Sequence, residues 1–344
     1  VTASRLLVIG GGGDLGRRRI LPALAELGVG ADVVDLAPLV PQPDHVRQVF
    51  RSLSPLAGLV GRREYLGAVV ATPNNLHLEH SHWAVAEAGL PCLTEKPIAH
   101  TLSAAKQAAC LAGGPAPSWI ADHYLAKPPS VYVIEHGSEL LAAIGAPERI
   151  EGQIVEPAGT LSGRSWLLDP ARSGGGIWLD TGVHLVTVLL ALWPGLAWRE
   201  VQARAADYEL QQDKDVTTGH AETAFVLEAL CHAPAGAQVK LAVGKAAQAP
   251  AKYLLLEGSR GSLRLDWSAN TVTLNGDVIL DAPDAPFGGY LALLGDFIQA
   301  CRDRNTARCP ALVRPGTALR ALELIKSAYA ASDLPPALRR ACSR

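Results

Sequence analysis

The sequence predicts an α/β fold in two parts: an N-terminal doubly wound parallel sheet, followed by an α/β domain with a large, mainly antiparallel open sheet. Three observations predict it. Short apolar runs alternate with helical stretches through the first third, a glycine-rich turn joins the first run to the first helix, and past Tyr124 strand-like runs follow one another.

In order, residues 6–10 read as a first strand, 15–27 as a helix and 31–36 as a second strand. Residues 66–72 form a strand that stops at Thr72-Pro73-Asn74-Asn75, where proline and asparagine favour a turn, and 76–88 resume a helical pattern. Strand 91–94, helix 101–112 and strand 118–122 complete the series. Strands this apolar on both faces belong inside a parallel sheet covered by helices. Beyond it the sequence predicts a helix over 129–143, a strand over 149–155, and an apolar helix that follows Gly174-Gly175-Gly176 and ends at Trp193-Pro194. Strands at 201–208, 221–230, 238–243, 253–257 and 262–267 build the second sheet, and helices at 290–302 and 316–331 close the chain. With 344 residues, two domains are expected, 1–122 and 123–344.

Composition narrows the function. Hydrophobic residues are 49% and charged residues 19%, enough apolar surface to bury large cores. The 31 basic and 33 acidic residues leave a net charge of -2, so no broad basic field draws a nucleic-acid backbone or an anionic membrane. No apolar run reads as long enough to cross a bilayer, and residues 1–10 lead straight into a strand rather than a signal peptide, so a cytoplasmic location is expected. The six cysteines, at 92, 110, 231, 301, 309 and 342, form no C-x-x-C pair and read as reduced thiols.

The first strand runs into Gly11-Gly12-Gly13-Asp14-Leu15-Gly16, a G-x-G-x-x-G that opens a helix. In such a loop Gly11 permits the turn, Gly13 lets backbone N–H groups approach a pyrophosphate, and Gly16 lets helix and strand pack closely. Asp35, at the end of the second strand, offers a carboxylate to an adenosine ribose. Because that carboxylate repels a 2′-phosphate, NAD is favoured over NADP, although Arg17, Arg18 and Arg19 offer a counter-argument.

The stretch from Val70 through Thr72-Pro73-Asn74-Asn75-Leu76-His77, then Glu95-Lys96-Pro97, and far downstream Gly174-Gly175-Gly176 with Asp180 and His184, resembles the glucose-fructose oxidoreductase / inositol dehydrogenase (Gfo/Idh/MocA) family. That resemblance implies an N-terminal Rossmann domain that binds NAD and a C-terminal α/β domain for substrate and oligomerisation, with the open sheet as the subunit interface. It places Thr72, Pro73, Asn75, His77, Glu95, Lys96 and Pro97 beside the cofactor, together with Asp14 and Leu15 of the loop, and implies a cis Lys96–Pro97 bond. A second resemblance overlies it. Residues 13–24, and Asp122-His123-Tyr124-Leu125-Ala126-Lys127, look like the cofactor loop and the substrate-binding segment of glucose-6-phosphate dehydrogenase, with Ala126 where that family has glycine.

Lys96 follows a strand at the carboxyl edge of the sheet, where its ammonium can hydrogen-bond a reacting hydroxyl and stabilise alkoxide charge. Asp180 and His184 stand i and i+4 on one helix face, so the imidazole can take a hydroxyl proton and a carboxylate can hold its tautomer. The first resemblance nominates Asp180 as that carboxylate and the second nominates Asp122. His123, Tyr124 and Lys127 suit a phosphate or several sugar hydroxyls, and Trp166 and Trp178 are candidates to stack on a sugar ring. His77, His80 and His82, with Glu79, do not match known zinc spacings, so no metal is expected.

The expected function is NAD-dependent hydride transfer at a secondary alcohol of a sugar, sugar phosphate or cyclitol. The alternatives are an NAD-using elimination or glycoside cleavage without net redox change, and a non-catalytic NAD sensor.

Overall fold

The computed structural model describes residues 5–56, 65–157, 165–207, 209–213, 216–234, 236–246, 251–303 and 310–344. The chain separates into two compact units. One comprises Val1–Ala99, Ala104–Ala126 and Ala285–Ala318; the other comprises His100–Ser103, Lys127–Asp284 and Leu319–Arg344. Where the sequence suggested a single cut after residue 122, the units interleave, because a late segment returns to the first sheet.

The first unit is built on β1 (Arg5–Ile9), β2 (Gly30–Val34), β3 (Val46–Phe50), β4 (Tyr65–Val70), β5 (Cys92–Glu95) and β6 (Ser118–Ala121), all parallel, in the order β6-β5-β4-β1-β2-β3. β1 lies between β2 and β4, so the strand order reverses there and the crevice beyond their carboxyl ends is the fold's ligand position. Leu6, Leu7, Val8, Ala68, Val69 and Val70 are buried, as strands covered on both faces must be. The edge strand β3, with exposed Arg47 and Gln48, lacks this apolar run and is not legible in the sequence. Asp32 of β2 is buried but satisfied: it accepts from Tyr65 Oη at 2.7 Å and from the Gln48 N–H at 3.1 Å.

The returning segment carries the helix Tyr290–Asp303, whose Leu293, Leu294, Phe297 and Ile298 are buried, and a two-residue strand, Leu312–Val313, antiparallel to β6. Phe297 meets Trp119 of β6 edge-on, with centroids 6.0 Å apart.

The second unit is built on an eight-stranded sheet. Its strands are β7 (Pro147–Pro157), β8 (Ala197–Ala206), β11 (Ala224–Ala233), β12 (Gln238–Ala246), β13 (Ala251–Gly258), β14 (Gly261–Asp266), β15 (Thr271–Leu274) and β16 (Asp277–Asp281), with β9 (Glu209–Asp213) and β10 (Val216–His220) forming a separate hairpin. Their order is β16-β15-β14-β13-β7-β12-β11-β8, antiparallel except between β7 and β12. Ile150, Gly152 and Ile154 alternate inward along β7, the period-2 signature of a half-covered sheet. The helix expected over 129–143 is two helices, Pro128–Glu135 and Gly137–Ile144, because His136 leaves helical geometry at φ -102°.

One bilayer expectation is corrected. The stretch Pro170–Leu192 is long and apolar enough, by length and composition, to cross a membrane, and 83% of its most apolar 18-residue window is buried inside the structure. That burial is what a core helix requires.

Candidate active site

In the first unit, β1 ends at Gly10, which takes φ 87° and carries the turn; a Cβ there would meet the Ala71 carbonyl oxygen at 2.6 Å. The left-handed residue of the turn is thus Gly10, one place before Gly11, where the sequence motif puts the turn. Gly16 opens the helix against Gly11, whose carbonyl would lie 2.3 Å from an added Cβ. Gly13 is exposed at the crest of the loop. Asp35, just past β2, accepts the Gly12 N–H at 2.8 Å through Oδ2 and the Ala37 N–H at 2.8 Å through Oδ1.

Two of the three arginines are engaged near the loop. Arg17 donates to the carbonyls of Gly12, Pro38 and Val40 at 2.8, 2.8 and 3.0 Å, tying the glycine loop to the segment after β2. Arg18 pairs with Asp14 at 2.6 Å across an exposed helical turn, and Leu15 stands at the start of that helix, half-buried.

Beyond β4, Thr72 and Pro73 lead into a short helix, and Asn75 Oδ1 is buried without a hydrogen-bond partner among the described residues. His77 is fully buried with Nδ1 2.8 Å from the Pro97 carbonyl oxygen and Nε2 2.8 Å from that of Thr72. Burial pulls its pKa down to about 4, against the opposing pull of the two carbonyls. Its ring is thus engaged within the protein: it fastens the β4 loop to the β5 loop rather than facing a ligand. His80 Nδ1 contacts Thr72 Oγ1 at 3.1 Å, and the half-exposed His82 lies 3.6 Å from Glu87, so the three histidines serve different partners.

β5 ends on Glu95, and the Lys96–Pro97 bond that follows is cis. Glu95 is buried and its Oε1 accepts from Tyr290 Oη at 2.9 Å. Burial pushes its carboxyl up to about 7, while the Lys96 ammonium and the tyrosine pull the other way. β6 delivers Asp122, buried, whose Oδ1 accepts the Tyr124 N–H at 3.1 Å. His123 stacks on Tyr290 at 5.1 Å and meets the buried Tyr124 edge-on at 5.0 Å.

In the second unit, Lys127 begins the helix Pro128–Glu135 and Trp166 sits half-buried in a single turn, Ser165–Leu168. Asp180 lies on a π-helical turn, Trp178–Gly182, that runs into the helix Val183–Leu192 carrying the buried His184. Such π turns recur at functional sites because they re-aim side chains within a helix. Trp178 is fully buried, stacked on Phe225 at 5.0 Å, and donates Nε1–H to the Ile325 carbonyl at 3.2 Å. It is a core residue, so the reading of Trp178 as a sugar platform is withdrawn.

Residues 139–264, all within the second unit, match the GFO/IDH/MocA C-terminal domain. That segment is a GFO/IDH/MocA-type C-terminal domain. Solved structures share its fold over almost its whole length. GenD2 from gentamicin A biosynthesis, in complex with NAD, is 20% identical, with a TM-score of 0.76 over 96% of this chain and 94% of that one. Levoglucosan dehydrogenase, in complex with NADH and L-sorbose, is 17% identical, with a TM-score of 0.74 over 95% and 97%. UDP-N-acetylglucosamine 3-dehydrogenase from Acidithiobacillus ferrooxidans is 18% identical, with a TM-score of 0.70 over 98% and 100%. No curated protein matches the sequence.

The sequence motifs omit three groups that support the candidate site residues: Tyr290, which bonds Glu95, and the pair Glu222 and Tyr329, which bond the backbone leading to Asp180. All three come from segments with no motif of their own. Tyr290 and Tyr329, polar residues on largely apolar helices, offered a weak signal, and Glu222, in the connection before β11, offered none.

Proposed function

We propose that this protein is an NAD-dependent oxidoreductase transferring a hydride between a secondary alcohol of a sugar, sugar phosphate or cyclitol and its nicotinamide cofactor. The observation that carries the reading is the arrangement at the strand-order reversal: a glycine loop whose Gly12 N–H is bound to Asp35, with Glu95-Lys96-Pro97 ending β5 of the same sheet. The residues fit the cofactor. Exposed Gly13 leaves backbone accessible to a pyrophosphate, Asp35 stands where a ribose is held, and the orphaned Asn75 Oδ1 lacks the partner that a buried amide oxygen needs. Asp35 also disfavours a 2′-phosphate, and the hydrogen bonds of Arg17 and the ion pair of Arg18 occupy the nearby guanidinium groups. The NAD and NADH complexes of relatives with the same fold support the same choice.

When bound, a nicotinamide cofactor supplies the two-electron acceptor that oxidation of an alcohol requires. In this reading Lys96 hydrogen-bonds the substrate hydroxyl and stabilises the negative charge that grows on its oxygen. His184 takes the hydroxyl proton, and Asp180 or Asp122 holds the imidazole in the tautomer that can accept it. Reduction uses the same groups in reverse. His123, Tyr124 and Lys127 recognise hydroxyls or a phosphate, as does Trp166 by stacking. In this reading the first unit carries the cofactor loop with Lys96, His123 and Tyr124, the second carries Lys127, Trp166, Asp180 and His184, and copies of the chain associate through the open face of the second sheet. A cytoplasmic setting, where NAD is supplied, completes the proposal.

The test is calorimetric titration of the full chain with NAD and NADP, then assay of matched sugars, sugar phosphates and cyclitols by absorbance of the reduced nicotinamide. Binding of NAD and stoichiometric reduction with one substrate class are expected. Failure to bind either cofactor defeats the reading, and substrate conversion without net reduction replaces it with elimination or glycoside cleavage. If phosphate is recognised, Lys127→Ala raises KM for the phosphorylated member of a pair and leaves the other unchanged.

A further inference from the structure

Tyr290 belongs to no sequence motif and lies far from the E-K-P element along the chain, yet it is buried against it. The segment 286–289 brings it there. Gly289, at φ 98°, passes so close to the His123 carbonyl oxygen that a Cβ would lie 2.7 Å from it. The Tyr290 ring is then stacked under His123, and its hydroxyl reaches Glu95 Oε1 at 2.9 Å. Both side chains are almost completely removed from water, with Tyr290 4% and Glu95 5% exposed.

We propose that Tyr290 and Glu95 form a positioning pair for Lys96, in which the tyrosine hydroxyl fixes the carboxylate beside the ammonium and so sets the charge that the ammonium faces. The proposal rests on the reading of Lys96 as the group that meets the substrate hydroxyl. Burial pushes this carboxylate toward its neutral form, and the Lys96 ammonium, the Tyr290 hydroxyl and the Lys96 backbone N–H favour the ionised one. Losing the hydroxyl or the ammonium shifts Glu95 toward its neutral form, and a neutral Glu95 no longer holds the ammonium by charge. The charged groups acting on the pair are Lys96 and Asp122 on Glu95, and Asp122 and Arg19 on Tyr290. Burial raises the carboxyl most, Lys96 and the tyrosine lower it and Asp122 raises it, leaving it at about 7, within reach of neutral pH.

The experiment needs no substrate. In full-length protein labelled with 13C at glutamate side-chain carboxyls, the resonance missing from Glu95→Gln is that of Glu95, and its pH midpoint is read directly. A midpoint near neutrality is expected in the intact protein, rising by about one pH unit in Tyr290→Phe and again in Lys96→Met, since each removes a group that favours the ionised form. If Tyr290→Phe does not fold, 3-fluorotyrosine placed at position 290 supplies a stronger donor of nearly the same shape and lowers the midpoint. A midpoint that ignores either the tyrosine change or Lys96→Met overturns the proposal. The reading of Lys96 as catalytic is judged separately, by turnover of Lys96→Met: an active variant removes that reading whatever the Glu95 midpoint does.

Discussion

Tyr329 donates its hydroxyl to Glu222 Oε1 at 2.7 Å, and the same hydroxyl oxygen accepts the N–H groups of Gly176 at 2.9 Å and Leu179 at 3.2 Å. Glu222 Oε1 in turn accepts the Trp178 N–H at 3.0 Å. The two side chains thus take three of the backbone donors that the start of a helix leaves without intrahelical partners. They do so at the head of the helical segment bearing Asp180 and His184. Close approach explains the glycines: at Gly176 a Cβ would lie 2.3 Å from the Glu222 carbonyl oxygen. Lys326, also buried, donates to the carbonyls of Gly174, Cys342 and His100 at 2.7, 2.8 and 2.9 Å and anchors the other side of the run.

This clamp predicts a pH-dependent stability. Burial pushes the Glu222 carboxyl from 4.5 to about 7. Between those values the folded protein holds a proton on Glu222 that the unfolded chain has released, so the Glu222 contribution to stability falls as pH rises through that window and levels off above it. Glu222→Gln removes the titration and should flatten this fall by on the order of 2 to 3 kcal/mol. Urea unfolding midpoints of both proteins at several pH values measure it; parallel curves would show that the pair is not titrating. The Lys326 ammonium, lowered to about 8 by burial, contributes a rise only above that pH. Glu95 and His77, which titrate in the same window, are common to both proteins and cancel in the difference between their curves.

Asp35 governs cofactor choice. Its carboxylate already holds two backbone N–H groups, so Asp35→Ala should weaken NAD binding about tenfold or more and narrow the difference from NADP. Fluorescence titration of both cofactors checks this. A variant with unchanged preference would move the selectivity to Arg17 or another group.

Trp178 separates a packing role from a recognition role. Its ring is fully buried against Phe225, so Trp178→Ala should cost about 3 to 5 kcal/mol of stability by leaving a cavity. Trp178→Phe should retain KM for any substrate found. Chemical denaturation and steady-state kinetics read the two effects independently, and a KM defect in a stable Phe variant would restore the sugar-stacking role.

The parallel sheet was legible because its strands are apolar on both faces and its glycine loop sits between strand and helix. The edge strand β3 was hidden because half its side chains face water. The hairpin β15–β16 was missed despite a signal: Asn275-Gly276, with φ of 54° and 92°, is the turn dipeptide that two-residue hairpins favour. His77 was visible as a motif residue, but its two carbonyl partners come from loops after different strands, and sequence spacing carries no such information. Tyr290 and Glu222 were illegible for the same reason: each acts on a segment far along the chain.

The assignment of acid–base roles can be decided by comparing four variants. His184 is buried on the helix Val183–Leu192, Asp180 precedes it by one turn, and Asp122 is buried at the end of β6 in the other unit. If His184 is the base, His184→Ala should lower kcat by about 10² to 10⁴-fold while NAD affinity and unfolding midpoint stay near those of the intact protein. Lys96→Ala should show a comparable loss, because without the ammonium the growing alkoxide has no positive partner. The carboxylate that orients His184 is then identified by non-additivity. A group acting only through the imidazole has nothing left to do once the imidazole is gone, so its Asn variant should cost much alone and little on top of His184→Ala. Asp180→Asn and Asp122→Asn, each alone and each combined with His184→Ala, give the two cycles. The aspartate whose cycle is strongly non-additive is the orienter; if both pairs add independently, neither acts through His184 and the imidazole is not the general base.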